Sequence, residues 1–135
     1  QVTKDMVRKW KEEFSYVNGD NREQMVELSV EGKKQVVDIG DLIKGACSLI
    51  INKVGNAIKS IVASADPEYQ PVLRNNIILS GGGSLIDGIA DAIANEIADI
   101  GDVTVTCVED PIDKVALGAM ALAQDMPDEQ YTAIN

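Results

Sequence analysis

A short apolar run, Asn76-Ile77-Ile78-Leu79, leads directly into Ser80-Gly81-Gly82-Gly83-Ser84, and a helical pattern and a second apolar run follow. This order constrains the chain more than any other feature in it. Asp87 to Ile97 carries Ile89, Ala90, Ile93 and Ile97 at helical spacing, and Val103-Thr104-Val105-Thr106-Cys107 reads as a second strand. A further helix is expected from Asp113 to Gln124, burying Val115, Ala119 and Leu122. A helix between two strands gives the length that a crossover needs, so the strands are expected to be parallel neighbours in an α/β fold. Ligands of such sheets sit beyond the carboxyl ends of the strands, where the three glycines stand.

The first half has a different rhythm. Thr3 followed by Met6, Val7, Trp10 and Phe14 predicts a capped amphipathic helix to about residue 16, with Trp10 and Phe14 in the core. Val17 to Asn21 is turn chemistry. Val26, Leu28 and Val30 alternate with Glu27, Ser29 and Glu31, and Gln35 to Ile39 resumes the run after Gly32, which predicts a β-hairpin. A long helix is expected from Asp41, as N-cap, to Ala65, with Ile43, Ala46, Cys47, Ile50, Val54, Ile58 and Ile61 as its buried stripe and Lys44 and Lys59 facing water.

Charge and residue inventory exclude several functions. With 22 acidic and 12 basic residues the net charge is −10, which opposes nucleic acid or an anionic membrane surface as partner. No apolar run reaches the length of a membrane span, and Gln1 to Asp5 is unlike a signal peptide. The absent initiator Met suggests an excised piece. There is no histidine, which removes Ser-His and Cys-His catalysis and most zinc chemistry. Cys47 and Cys107 fit no metal spacing and are expected to be buried reduced thiols.

The glycine turn matches neither the dinucleotide fingerprint nor a P-loop, because no suitably spaced third glycine and no Gly-Lys-Ser/Thr follows. Asp87, at the expected helix start, would repel a phosphate there, and no Lys or Arg lies between Asn75 and Asp113. An uncharged ring such as adenine or ribose suits the loop better. A tight strand-to-helix turn without a ligand is the plain alternative.

Three segments together resemble the actin superfamily. Asn76 to Gly88 is similar to its adenosine motif. Lys11-Glu12-Glu13-Phe14-Ser15-Tyr16-Val17 resembles the outer-lobe helix that offers a Lys-Glu pair to the nucleoside. Glu109-Asp110-Pro111 with Gly118-Ala119 resembles the last strand-helix step of bacterial actins. Pro67-Glu68-Tyr69-Gln70 and Val105 to Pro111 further resemble the branch that aligns magnetosomes, with the cell-shape branch next.

The resemblance implies an actin-like (ribonuclease H-like) domain II fragment. Residues 1–40 would be the outer helix and hairpin lobe, 41–125 the inner lobe with parallel strands, and 126–135 a polar tail. It implies an intact protein that binds ATP or ADP with Mg²⁺, hydrolyses ATP weakly and self-associates into cytoplasmic filaments, with magnetosome-associated proteins as further partners. By that carry-over, Gly81, Gly82, Gly83, Ser84 and Ile86 would face the adenosine, and Lys11 and Glu12 its ribose or base. No catalytic or metal-ligating residue is assigned, because the phosphate-binding hairpins of the family are not matched. Val36 to Gly40 begins like one but runs into Asp41-Leu42-Ile43. A chaperone ATPase or sugar kinase of the same superfamily, or a non-catalytic interaction module, are the alternatives.

Overall fold

The computed structural model describes residues 2–127. Helix α1 spans Lys4–Phe14, and the Thr3 hydroxyl caps it by accepting from the Met6 N–H at 3.3 Å. Trp10 and Phe14 are half-buried rather than core residues, because α1 lies at the edge of the structure and buries no side chain fully. The hairpin follows as antiparallel β1 (Met25–Val30) and β2 (Lys33–Asp38), in register from Met25 opposite Asp38 to Val30 opposite Lys33. Its two turn residues, Glu31 and Gly32, have φ of 51° and 80°, the backbone of a tight hairpin turn whose twist matches the strands.

Helix α2 runs from Gly40 to Ser64. Its expected N-cap, Asp41, instead lies in the first turn. The capping work falls to Asp38, whose Oδ1 accepts from the Gly40 N–H at 2.9 Å and from the Gln24 N–H at 2.8 Å. One carboxylate thus joins the entry of β1 to the start of α2. The buried side of α2 runs through Cys47, Gly55 and Val62, so at its C-terminal end Val62 faces inward and Ile61 outward. Lys44 and Lys59 are not solvated as expected. Lys44 Nζ donates to the Gly19 carbonyl at 2.6 Å, and Lys59 pairs with Asp99 at 2.8 Å. That pairing holds the Asp99 carboxyl below its ordinary range.

A short helix α3 (Gln70–Arg74) leads to β3 (Ile77–Leu79), then come the glycine turn, α4 (Ile89–Glu96), β4 (Val105–Cys107) and α5 (Lys114–Asp125). The strands β3 and β4 are parallel, pairing Ile77 with Val105 and Leu79 with Cys107, as the crossover length predicts. The core is Ile89 and Ile93 on the inner face of α4 with Ile97 just past its end, packed against Val54 and Ile58 of α2, Ile77 and Leu79 of β3, and Val105 of β4. Burying each of these isoleucines contributes about 1.5–3 kcal/mol.

Two further expectations of burial fail. Val115 and Leu122 of α5 are 76% and 72% exposed, and Ala119 is exposed beside them, because no described element lies over that face. Cys107 is exposed at the end of β4, whereas Cys47 is buried, and both are free thiols. The expected lobe boundary falls at the junction of β2 and α2. Residues 128–135 of the expected tail lie outside the described residues.

The junction yields two predictions. A Cβ on Gly40 would stand 1.8 Å from the Arg22 carbonyl oxygen, whereas one on Gly45 meets nothing within 4 Å. Gly40→Ala should therefore destabilise the chain by about 3 kcal/mol. Gly45→Ala, in the interior of the same helix, should stabilise it by up to about 1 kcal/mol. Urea unfolding of both variants measures the contrast. The N–H groups of Gln24 and Gly40 also hold the Asp38 carboxyl below its ordinary value. A depressed folded pKa gives stability that is complete above the unfolded value, about 3.9, and is lost as pH falls through the folded value. The urea midpoint of the native chain should exceed that of Asp38→Asn near neutrality, and the gap should close only below about pH 4.

Candidate functional site

The carboxyl ends of β3 and β4 are tied together. Val108 N–H donates to the Leu79 carbonyl at 3.0 Å, and Gly81 N–H donates to the carbonyl of buried Pro111 at 3.3 Å. The glycine turn begins there. Gly81 has φ 84° and ψ 174°, a backbone that a side chain would strain. A single 3₁₀ turn, Gly82–Leu85, follows, closed by Ser84 N–H donating to the Gly81 carbonyl at 3.0 Å. The Ser84 hydroxyl donates to that same carbonyl at 2.8 Å, leaving its lone pairs as acceptors.

The other two glycines have no such internal reason. Gly82 and Gly83 have no left-handed φ, and a Cβ built on either meets nothing within 4 Å. Within this chain an alanine would fit at both positions. Their bare backbone faces open space, as an edge would that something flat lies against. Behind the turn is an apolar cavity of about 160 Å³, lined among others by Val54, Leu79, Ser84, Ile89 and Ile93. A more open hollow of about 470 Å³ lies along Asn18, Ser84, Asp87, Asp91 and Cys107.

Helix α1 is delivered to this turn by the backbone. Asp87 N–H donates to the Ser15 carbonyl at 3.2 Å, and Val17 N–H donates to the Asp87 carbonyl at 2.9 Å. Residues about 70 apart in sequence are thereby paired as one rung of parallel sheet between Tyr16 and Asp87. Lys11 and Glu12 stand exposed on the last turn of α1, one turn before Ser15, whose hydroxyl donates to the Lys11 carbonyl. Ile86 is half-buried and packs against the Ile89–Ile93–Ile97 cluster. The fold thus brings Ser15 to Val17, the end of the Lys11–Val17 segment, against Asp87 of the glycine segment, and Val108 and Pro111 against Leu79 and Gly81, while Gly118 and Ala119 lie on α5.

Asp87 differs from its expected place. It does not start α4, since Gly88, with φ 80°, is the cap residue and the helix begins at Ile89. Its carboxylate pairs with Arg22 at 2.7 Å instead. A count of charges along residues 75–113 misses this, because Arg22 arrives from another part of the chain.

Sequence reasoning also missed Tyr16. Its ring is completely buried, its hydroxyl accepts from the Arg22 N–H at 2.8 Å and donates to the Gly40 carbonyl at 3.4 Å, and the Arg22 guanidinium lies 4.5 Å over its face. It lies inside the Lys11–Val17 segment, yet nothing in the local pattern separates it from the other residues there. Tyr16→Phe keeps the ring and strands the Arg22 N–H. It should cost about 1–2 kcal/mol in urea unfolding.

The model of the MreB/Mbl protein family matches residues 2–131. Actin-like protein MamK of Paramagnetospirillum magneticum is 33% identical over 121 residues, 90% of this chain and 35% of that protein. MamK of Magnetospirillum gryphiswaldense is 32% identical, over 90% of this chain and 34% of its own length. The chain therefore spans about a third of the length of the curated relatives it matches. Among solved structures, a MamK double helical filament superposes with a TM-score of 0.88 at 32% identity, covering 94% of this chain and 39% of that one. A non-polymerising MamK mutant bound to AMPPNP gives 0.82 at 32% identity, over 92% and 38%. An actin-like fold matched this closely, together with a family match that runs over nearly every residue, shows that the chain belongs to the MreB/Mbl family.

Proposed function

We propose that this chain is the domain II portion of an ATP-binding, filament-forming bacterial actin, and that it supplies the adenosine side of the nucleotide site. The observation that carries this reading is that Ser15 and Val17 bond to Asp87 just past the glycine turn and Pro111 bonds to Gly81 at its start, while Gly82 and Gly83 face open space. The outer lobe, 1–40, and the inner lobe, 41–125, would flank the nucleoside. The Gly81–Gly83 edge lets an uncharged ring lie against backbone. Ser84 offers lone pairs, Ile86 an apolar face, and Lys11 and Glu12 a donor and an acceptor to the ribose or base.

The phosphate end of the ligand falls to other parts of the intact protein. Mg²⁺ is commonly held by one or two carboxylates together with the nucleotide's own phosphates, and the phosphate-binding hairpins of the family are not matched in this chain. The chain alone is accordingly expected to release no phosphate from ATP.

The exposed apolar faces of α2 and α5, with Leu42, Leu49, Val115 and Leu122, belong in this reading to contacts with the remainder of the protein or with neighbouring subunits. No helix among the described residues is long and apolar enough to cross a membrane. Cytoplasmic filaments that align magnetosomes are the role that similarity to MamK supports.

Two measurements test the proposal. The intact protein should pellet with ATP and not without it, with filaments visible in the pellet by electron microscopy; no ATP-dependent pelleting would sink the filament reading. Gly82→Ala in the intact protein should weaken ATP binding about tenfold or more while leaving Tm unchanged, since the new methyl group meets no atom of this chain within 4 Å. Unaltered affinity would mean that the turn is merely a turn.

A further inference from the structure

We propose that Arg22 and Asp87 form a clasp that sets the distance between the last turn of α1 and the glycine turn, making both positioning residues for the nucleoside. The inference rests on the nucleotide reading above. Asp87 directly follows the turn, and its backbone is already fixed against α1 through Ser15 and Val17. Its carboxylate adds a second attachment. Oδ2 accepts from Arg22 Nη2 at 2.7 Å, and Oδ1 accepts from Asn18 Nδ2 at 3.4 Å.

An exposed ion pair ordinarily contributes little, because two long side chains lose rotamer freedom to form it. Here the side chains are 43% and 55% exposed, so the pair adds little to global stability. Its geometry nevertheless is held. The same Arg22 Nη2 donates to Asn18 Oδ1 at 2.7 Å, the guanidinium lies 4.5 Å over the ring of buried Tyr16, and the Arg22 N–H is bonded to the Tyr16 hydroxyl. Arg22 is oriented before Asp87 is considered, which favours a positional role over a stabilising one. A shift of Asp87 would carry Ile86 and Ser84 away from Lys11 and Glu12, the opposite side of the nucleoside.

The test uses the intact protein, with dissociation constants for ATP and ADP read by displacement of a fluorescent adenine nucleotide, and Tm in parallel. Arg22→Glu should weaken both nucleotides about three- to tenfold, equally, because the clasp acts on the nucleoside and not on the phosphates. Tm should fall by no more than a few degrees. Arg22→Gln, milder, should weaken both about threefold and serves if the reversal fails to fold. The swap Arg22→Glu with Asp87→Arg restores the opposite charges but not the guanidinium's contacts with Tyr16 and Asn18, so it should recover affinity in part, about twofold or more above Arg22→Glu alone. Native affinity in the single variants, or a swap no better than Arg22→Glu alone, overturns the clasp. If the unmodified protein binds neither nucleotide, the nucleotide reading falls and the clasp with it. If Gly82→Ala weakens binding and the Arg22 variants do not, the clasp alone falls.

Discussion

The structure turns on one buried phenol. Tyr16 ends the segment that follows α1, and its hydroxyl reaches the backbone of both the loop at Arg22 and the start of α2 at Gly40. A buried hydroxyl without partners is costly, so these two bonds fix where three separate pieces of backbone meet. Gly40 belongs to the same constraint: the Arg22 carbonyl oxygen occupies the place where a Cβ would stand. Around this point the hairpin, α1 and α2 take up fixed relative positions, and the Tyr16–Asp87 rung extends the arrangement to the glycine turn.

The second organising element is the parallel pair. β3 and β4 have three residues each, too few to be stable as an isolated sheet. They persist because Ile89, Ile93 and Ile97 cover one face of the pair, and Val54 and Ile58 of α2 pack against that same cluster. Apolar side chains stay uncovered on several elements, among them Ile78 at 66%, Leu49 at 73% and Val115 at 76% exposed. They agree with a chain that matches about a third of its relatives' length.

Much of this was legible in the sequence, and the misses share a cause. Local signals located α1 with its Thr3 cap, the hairpin, α2 and the parallel order of the last two strands, because periodicity and turn chemistry act over a few residues. Burial of α5 was misjudged because periodicity records which face is apolar and is silent on what covers it. The role of Asp38 was assigned to Asp41 because both precede or open the helix and only the fold shows which carboxylate meets the Gly40 N–H. Of the candidate site, the glycine turn and the Lys11–Glu12 helix were visible as motifs. That the two belong together followed from the resemblance alone; the bonds of Ser15 and Val17 to Asp87, and of Arg22 to Asp87, join residues with no pattern between them.

Trp10, the sole tryptophan of the sequence, is half-buried on α1 next to Lys11. Helix α1 has no fully buried side chain, so its docking is among the weaker attachments of the fold. Indole emission responds to the polarity around it, and this indole sits on the helix that leads into the Tyr16–Asp87 rung. The chain thus contains its own optical gauge of how α1 is docked, placed by an amphipathic helix too shallowly packed to hide it.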